Sequence, residues 1–178
     1  MRRIIITFFV AGLLFTACNV KEKSSKDVLV NDIYKYEKSL IDTVNYNMNT
    51  DTAKILVNKY IYFSENFSKD SLAPIYILKA ADVSISLKDY SEAVKLYENV
   101  YTNYPNFKKA PEALFLQAMT YCDFLKNESL GKIKYQEFIN KYPNHKLIDD
   151  AKKSIEFIGK TPEEILKILQ NKDSLSNN

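Results

Sequence analysis

The sequence predicts an all-α protein, a helical-hairpin solenoid of about three repeats closed by a C-terminal capping helix. Three observations carry that expectation. The chain matches itself at an offset of about 38 residues, a period typical of stacked hairpins. Ser91–Pro105 (SEAVKLYENVYTNYP) lies over Ser129–Pro143 (SLGKIKYQEFINKYP), which keeps Tyr97 with Tyr135, Tyr104 with Tyr142, and Pro105 with Pro143. Apolar residues recur at three- and four-residue spacing, as at Leu29, Ile33, Tyr36, Leu40 and Val44, the stripe of an amphipathic helix. Glycine is scarce, 3 residues of 178, and tryptophan is absent, a composition that suits helices.

At the start of the chain, Arg2 and Arg3 precede an apolar run from Ile4 to Phe15. At about twelve residues this run is short of the roughly 20 that span a bilayer, and its flanks are those of a processed export signal. Leu14-Phe15-Thr16-Ala17-Cys18 resembles the bacterial lipobox, in which small residues precede a cysteine that is acylated and becomes the mature N-terminus. Phe15 stands where that motif usually has Leu. The resemblance implies a signal peptide over 1–17 and lipidation at Cys18 by enough acyl chains for stable membrane anchoring. Residues 18–27 carry one isolated apolar residue and read as a flexible tether between lipid and domain.

Helices are then predicted over 28–46, 51–67, 71–87, 90–103, 109–126, 128–141, 146–158 and 162–170. The first carries the Leu29 to Val44 stripe and should form the opening layer. The next six follow from the repeat: Ala73-Pro74 matches Ala110-Pro111, Ala81 matches Ala118, and Leu56, Tyr60 and Phe63 precede Ala93, Tyr97 and Val100 by about one period. Asp51 and Asp70 stand where N-caps are expected. Gly159 ends the seventh helix. The last opens Thr161-Pro162-Glu163-Glu164, an N-cap hydroxyl, a proline at the first helical position and acids in the first turn. The repeat domain thus spans 28–170, and 171–178 is expected to be a disordered tail.

These residues resemble the tetratricopeptide repeat. In that family a small residue in the first helix is followed by an aromatic, and the second helix carries a small residue and an aromatic before a terminal proline. Ala118 with Tyr121 fits the first pair, while Ala93, Tyr97 and Pro105, then Gly131, Tyr135 and Pro143, fit the second. Ser84 stands where the aromatic after Ala81 would be. The resemblance covers about residues 51–158, and it implies a concave face built from the first helix of each hairpin. By family position that face includes Ile75, Leu78, Asp82 and Ile85, then Phe115, Met119, Cys122 and Asp123. The exposed apolar members would form a groove for a peptide or partner helix.

Catalytic chemistry finds no purchase in the sequence. His145 is the single histidine and reads as a solvated turn residue, with no partner at metal-ligand spacing. Glu92, Glu112, Asp149 and Asp150 read as solvated helix-surface carboxylates. With no phosphate-cradling glycine loop or nucleophile motif, neither a catalytic residue, a metal nor a cofactor is expected. Arg2 and Arg3 supply two of the +3 net charges, so the chain after cleavage is close to neutral and lacks the basic face of a nucleic-acid binder. If Cys18 carries lipid, Cys122 has no disulfide partner and reads as a small buried residue.

Four segments, Asp42-Thr43-Val44, Asp51-Thr52-Ala53, Asp70-Ser71-Leu72 and Asp173-Ser174-Leu175, resemble an O-glycosylation signal of exported bacterial proteins. That resemblance would place sugar on Thr43, Thr52, Ser71 and Ser174, whereas capping is the competing explanation for the same residues. The lipobox with the repeats implies a non-enzymatic scaffold for envelope proteins or peptides, resembling lipoproteins that assist outer-membrane protein assembly. An adaptor coordinating peptidoglycan and envelope biogenesis, or a carbohydrate-binding lipoprotein, are the alternatives. Asn19 follows the lipidated cysteine where an inner-membrane retention signal would have Asp, and the tether lacks an acidic cluster. The expected location is the outer membrane, with the domain facing the periplasm.

Overall fold

The computed structural model describes the backbone of residues 15–41 and 47–176, and the side chains of 25–41 and 47–171. Among them are eight helices: α1 (Phe15–Lys38), α2 (Thr50–Asn66), α3 (Ala73–Ser86), α4 (Tyr90–Asn103), α5 (Ala110–Asp123), α6 (Glu128–Lys141), α7 (Ile148–Phe157) and α8 (Pro162–Ser176). From α1 to α7 each helix packs on the next in chain order. This is the helical-hairpin solenoid that the repeat period predicts. An isolated bridge between Ile41 and Met48 is the only β pairing among the described residues.

The period is written into the turns between hairpins. The backbone amides of Asp70, Phe107 and His145 donate to the carbonyls of Phe67, Tyr104 and Tyr142, and the carbonyls of Asp70, Phe107 and His145 accept from Ala73, Ala110 and Ile148. The turns before α3, α5 and α7 thus share one hydrogen-bond pattern. Helix starts are secured in different ways. Helices α3 and α5 place Pro74 and Pro111 in the first turn, where a missing N–H costs no hydrogen bond. Helices α2, α4 and α6 are capped by Asn49, Asp89 and Asn127, whose side chains accept from the amides of Thr52, Glu92 and Leu130 at 3.0, 3.1 and 3.1 Å.

Close packing follows from the small residues. Ala81, Ala93 and Ala118 are fully buried. A β-carbon added to Gly131 would lie 2.1 Å from Cys122 Sγ and 3.1 Å from the Ala118 carbonyl, so α6 meets α5 at a distance only glycine permits. Rings fill the wider gaps: Tyr60 stacks on Tyr76 at 5.2 Å, and Phe63 meets Tyr76 edge-on at 4.8 Å. Between α4 and α5 the seam is polar but satisfied. Buried Gln117 accepts from the Tyr101 hydroxyl and donates to the Val94 carbonyl, both at 2.8 Å.

Several boundaries differ from the sequence reading. Helix α1 runs through 18–27, where a tether was expected, because Lys21, Glu22 and Lys23 are good helix formers and no Gly or Pro interrupts them. The same helix stops at Lys38 rather than 46, where the Asn49 amide turns back to the Leu40 carbonyl at 2.8 Å; Val44 lies outside the described residues. Asn49, not Asp51, caps α2, and Asp51 falls in its first turn. Asp70 accepts from the Leu72 amide at 2.9 Å inside the turn, ahead of α3 itself. Helix α8 extends to Ser176, through most of the segment expected as a tail.

Candidate peptide-binding cleft

Phe115, Met119, Cys122 and Asp123 occupy one face of α5, and together they line an open cleft of about 640 Å³. Helix α5 forms one wall and Ser154, Phe157 and Ile158 at the end of α7 the other, with Tyr135 of α6 beneath. The rim is completed by Lys126, Glu128 and the turn Gly159-Lys160-Thr161. Phe115 is anchored edge-on against Tyr135 at 5.2 Å and Phe138 at 5.6 Å, yet keeps part of its ring accessible. Gly159, at φ 76°, adopts the left-handed conformation that ends helices and turns the chain along the rim. Thr161 and Glu164 then start α8 with reciprocal bonds: the Thr161 amide donates to Glu164 Oε2 at 2.8 Å, and the Glu164 amide to Thr161 Oγ1 at 3.3 Å.

The electrostatics of the cleft oppose nucleophilic chemistry. Burial pushes the Cys122 thiol up, and the charges of Asp123 and Glu128 push it further the same way. A reactive cysteine requires the reverse, a stabilised thiolate. The Tyr135 hydroxyl is pushed up to about 12, first by burial, with Ser154 hydrogen bonding acting against it. Both groups are therefore neutral at physiological pH. The surface they present is apolar and aromatic, and Met119 can adapt its shape to a ligand.

The other half of the expected face does not join this cleft. Leu78 is only 8% exposed and belongs to the core, and Ile85 packs partly buried against it. Ile75 is exposed, but its neighbours are taken. The Asp82 carboxylate accepts from the Tyr97 hydroxyl at 2.9 Å; burial holds its pKa above the ordinary value, with the Tyr97 bond acting against that. Nearby, Glu37 Oε1 accepts from Tyr60 at 2.7 Å and from Lys79 at 2.6 Å. Helix α3 thus presents the hydrogen-bonded side chains of Lys79 and Asp82 on the side where an apolar groove was expected, because the hydroxyls of the repeated tyrosines need partners once buried. Tyr97 and Tyr135 are themselves buried, which leaves their ring faces unavailable for stacking on a sugar.

His145 is half-buried rather than the solvated turn residue that its place between repeats suggested. Its ring packs edge-on against Phe138 at 5.5 Å, its Nδ1 accepts from the Leu147 amide at 3.3 Å, and its Nε2 lies 3.6 Å from Glu112. Glu112 is likewise drawn inward, with Oε2 buried. No group of three His, Cys, Asp or Glu able to hold a metal occurs among the described residues. Of the glycosylation candidates, Ser71 is exposed and Thr52 half-buried at the start of α2. Thr43 lies outside the described residues, as do the side chains of Cys18 and Ser174.

Sequence reasoning missed Ser154, Phe157 and Ile158 as parts of the cleft. It read Tyr135 as packing alone and Gly159 as a helix stop alone, although each also forms the cleft. The one usable signal was that α7 must stack beside α5 in a solenoid. Residues 76–106 and 112–145, the α3/α4 and α5/α6 hairpins with part of the turns after them, match the tetratricopeptide repeat family. No curated protein matches the chain.

Proposed function

From a solenoid carrying two matched tetratricopeptide repeats, we propose a non-enzymatic, lipid-anchored scaffold of the cell envelope that holds a segment of a partner protein in the cleft between α5 and α7. The observation that carries the reading is the cleft itself. It is an open recess of mixed apolar and polar lining on the helices that face inward in such arrays, with a partly accessible aromatic ring and a methionine among its walls, the kind of surface a peptide or partner helix uses. Lipid attachment at Cys18 is supported by the Arg pair, the short apolar run and the lipobox-like Phe15-Thr16-Ala17-Cys18. No helix among the described residues is long and apolar enough to cross a membrane. Asn19 and the absence of an acidic cluster after it favour the outer membrane with the domain in the periplasm. Assistance in outer-membrane protein assembly is the role this combination best fits.

Crosslinking of intact cells that express the tagged chain, followed by mass spectrometry of what co-purifies, tests the proposal. Recovery of outer-membrane assembly proteins, lost on Met119→Glu, is the expected result. Recovery of peptidoglycan enzymes would redirect the role to an envelope adaptor, and recovery of no protein would overturn the scaffold reading. Replacement of Cys18 by Ala is expected to release the protein from the membrane fraction. Digestion of the domain by protease added to whole cells would refute the periplasmic orientation.

A further inference from the structure

Helix α8 stands apart from the rest of the array. Every helix from α1 to α7 packs on its neighbour in the chain, whereas α8 packs extensively on no other helix. Its Thr161–Glu164 box starts it as a helix from within its own sequence. Ile165, Leu166, Ile168 and Leu169 give it an apolar stripe at three- and four-residue spacing, and Leu166 and Leu169 remain exposed.

This helix begins where the cleft ends. Gly159, Lys160 and Thr161 line the cleft at its rim, all three are exposed, and Gly159 holds the left-handed conformation at φ 76°, so the joint between α8 and the cleft lies at the surface. Helix α5 runs toward the same rim and ends at Asp123. Folded back from the rim, α8 would lie antiparallel to α5. Leu166 and Leu169 then fall about 8 and 12 Å along α8 from Thr161, and Met119 and Phe115 about 5 and 11 Å along α5 from Cys122, at a rise of about 1.5 Å per residue. The exposed stripe and the apolar part of the cleft therefore match in reach. The charged side chains at the border balance, Asp123 and Glu128 against Lys126 and Lys160, which leaves apolar contact to decide what covers the cleft.

We propose that α8 is a lid for the cleft: rotation about Gly159–Thr161 lays Leu166 and Leu169 over Met119 and Phe115, and a partner segment binds by displacing it. The inference rests on the reading of the cleft as a binding surface. The structure shows the open arrangement, with the cleft and the stripe both uncovered. A free segment must reach the cleft by diffusion, whereas α8 is joined to its rim and competes at high effective concentration. Only open molecules accept a partner, so a lid closed about two-thirds of the time weakens apparent affinity about threefold and slows a reagent that must enter the cleft by the same factor.

Cys122, which lines the cleft, and the absence of tryptophan supply two readouts in the full chain. Alkylation of Cys122 by iodoacetamide, followed by peptide mass spectrometry, is expected to run about threefold faster when Leu166→Glu and Leu169→Glu are combined. Both positions are exposed, so the circular dichroism spectrum should not change. In Leu169→Trp the single indole should emit at the short wavelength of an apolar site, and shift to longer wavelength when Met119→Glu is added. Equal alkylation rates, with emission indifferent to Met119→Glu, would overturn the lid. Emission that depends on protein concentration would also overturn it and assign the stripe to a second copy of the chain. Crosslinked partners decide the scaffold reading separately: their recovery beside an unchanged alkylation rate would remove the lid alone, while a lid without partners would keep the α8 contact and remove the scaffold.

Discussion

Gly131 and Cys122 form a matched pair across the α5–α6 seam. Alanine would gain helix propensity, up to about 1 kcal/mol over glycine, but its β-carbon would stand 2.1 Å from Cys122 Sγ and 3.1 Å from a backbone carbonyl. Overpacking of this kind costs about 1–3 kcal/mol, so steric conflict wins. Gly131→Ala is expected to lower the urea midpoint, and Cys122→Ala in the same background to restore most of the loss. The Lys26–Asp70 pair, at 2.8 Å, ties α1 to the turn before α3. Its Asp70 carboxyl is held below its ordinary value, first by the Lys26 hydrogen bond and then by the Leu72 amide. A depressed folded-state pKa gives stability that is present above the unfolded value, about 3.9, and lost as pH falls through the folded one. Lys26→Met should therefore lower the melting temperature at pH 7, and the gap to wild type should close as pH falls through the depressed folded-state value of Asp70.

At the scale of elements, helix starts divide the work between sequence-local and tertiary causes. Asn49, Asp89 and Asn127 satisfy amides of their own helices, so those starts form wherever the segment lies. Helix α8 is similar: its Thr161–Glu164 box is entirely local, and its apolar side chains contribute little burial, Leu166 being 56% and Leu169 42% exposed. Thr161→Ala is expected to cost about 1 kcal/mol of helix stability. Because α8 adds little to the core, the loss should appear as faster hydrogen exchange within α8, while the global unfolding midpoint stays in place. A fall in that midpoint comparable to a core substitution would show that α8 supports the array. The ends of α3 and α5 are costlier, since Lys88 (φ 63°) and Lys126 (φ 52°) hold left-handed conformations without being glycine.

Over the whole molecule, stability in a solenoid is a sum of hairpin and nearest-neighbour terms. Buried side chains concentrate in α2 to α5; α6 buries Gly131, Tyr135 and Phe138, α7 only Ala151, and among its described side chains α1 places only Ile33 fully inside. Native-state hydrogen exchange should accordingly show the strongest protection in α3 to α5, with weaker protection in α1, α7 and α8. Uniform protection along the chain would contradict a nearest-neighbour array. The same gradient leaves the cleft between a firm wall, α5, and a yielding one, α7, which allows it to adjust to a ligand.

The fold was legible in the sequence because a solenoid is built from local repeats. Tyr97 with Tyr135, and the small residues at Ala93 and Gly131, keep one register, and that register alone implies which faces meet. Phe115, Met119 and Cys122 were legible as one face for the same reason, their spacing on a single helix. The end-points of α1 and α8 were not, since helix formers without breakers leave a boundary that only packing or the next turn decides. Contacts between distant segments were equally beyond the sequence. His145 packs half-buried against Phe138 and beside Glu112, Asp82 is taken by Tyr97, and α7 closes the cleft over Tyr135; periodicity gives a residue its face but not the partner that reaches it from another hairpin. What the sequence determined by itself was therefore the helical period, the hairpin order and the cleft's first wall, all set by spacing along one chain segment. The tertiary structure decided which half of the inner face carries hydrogen-bonded polar side chains and which forms the cleft, because that depends on where hydroxyls and carboxylates find one another in space.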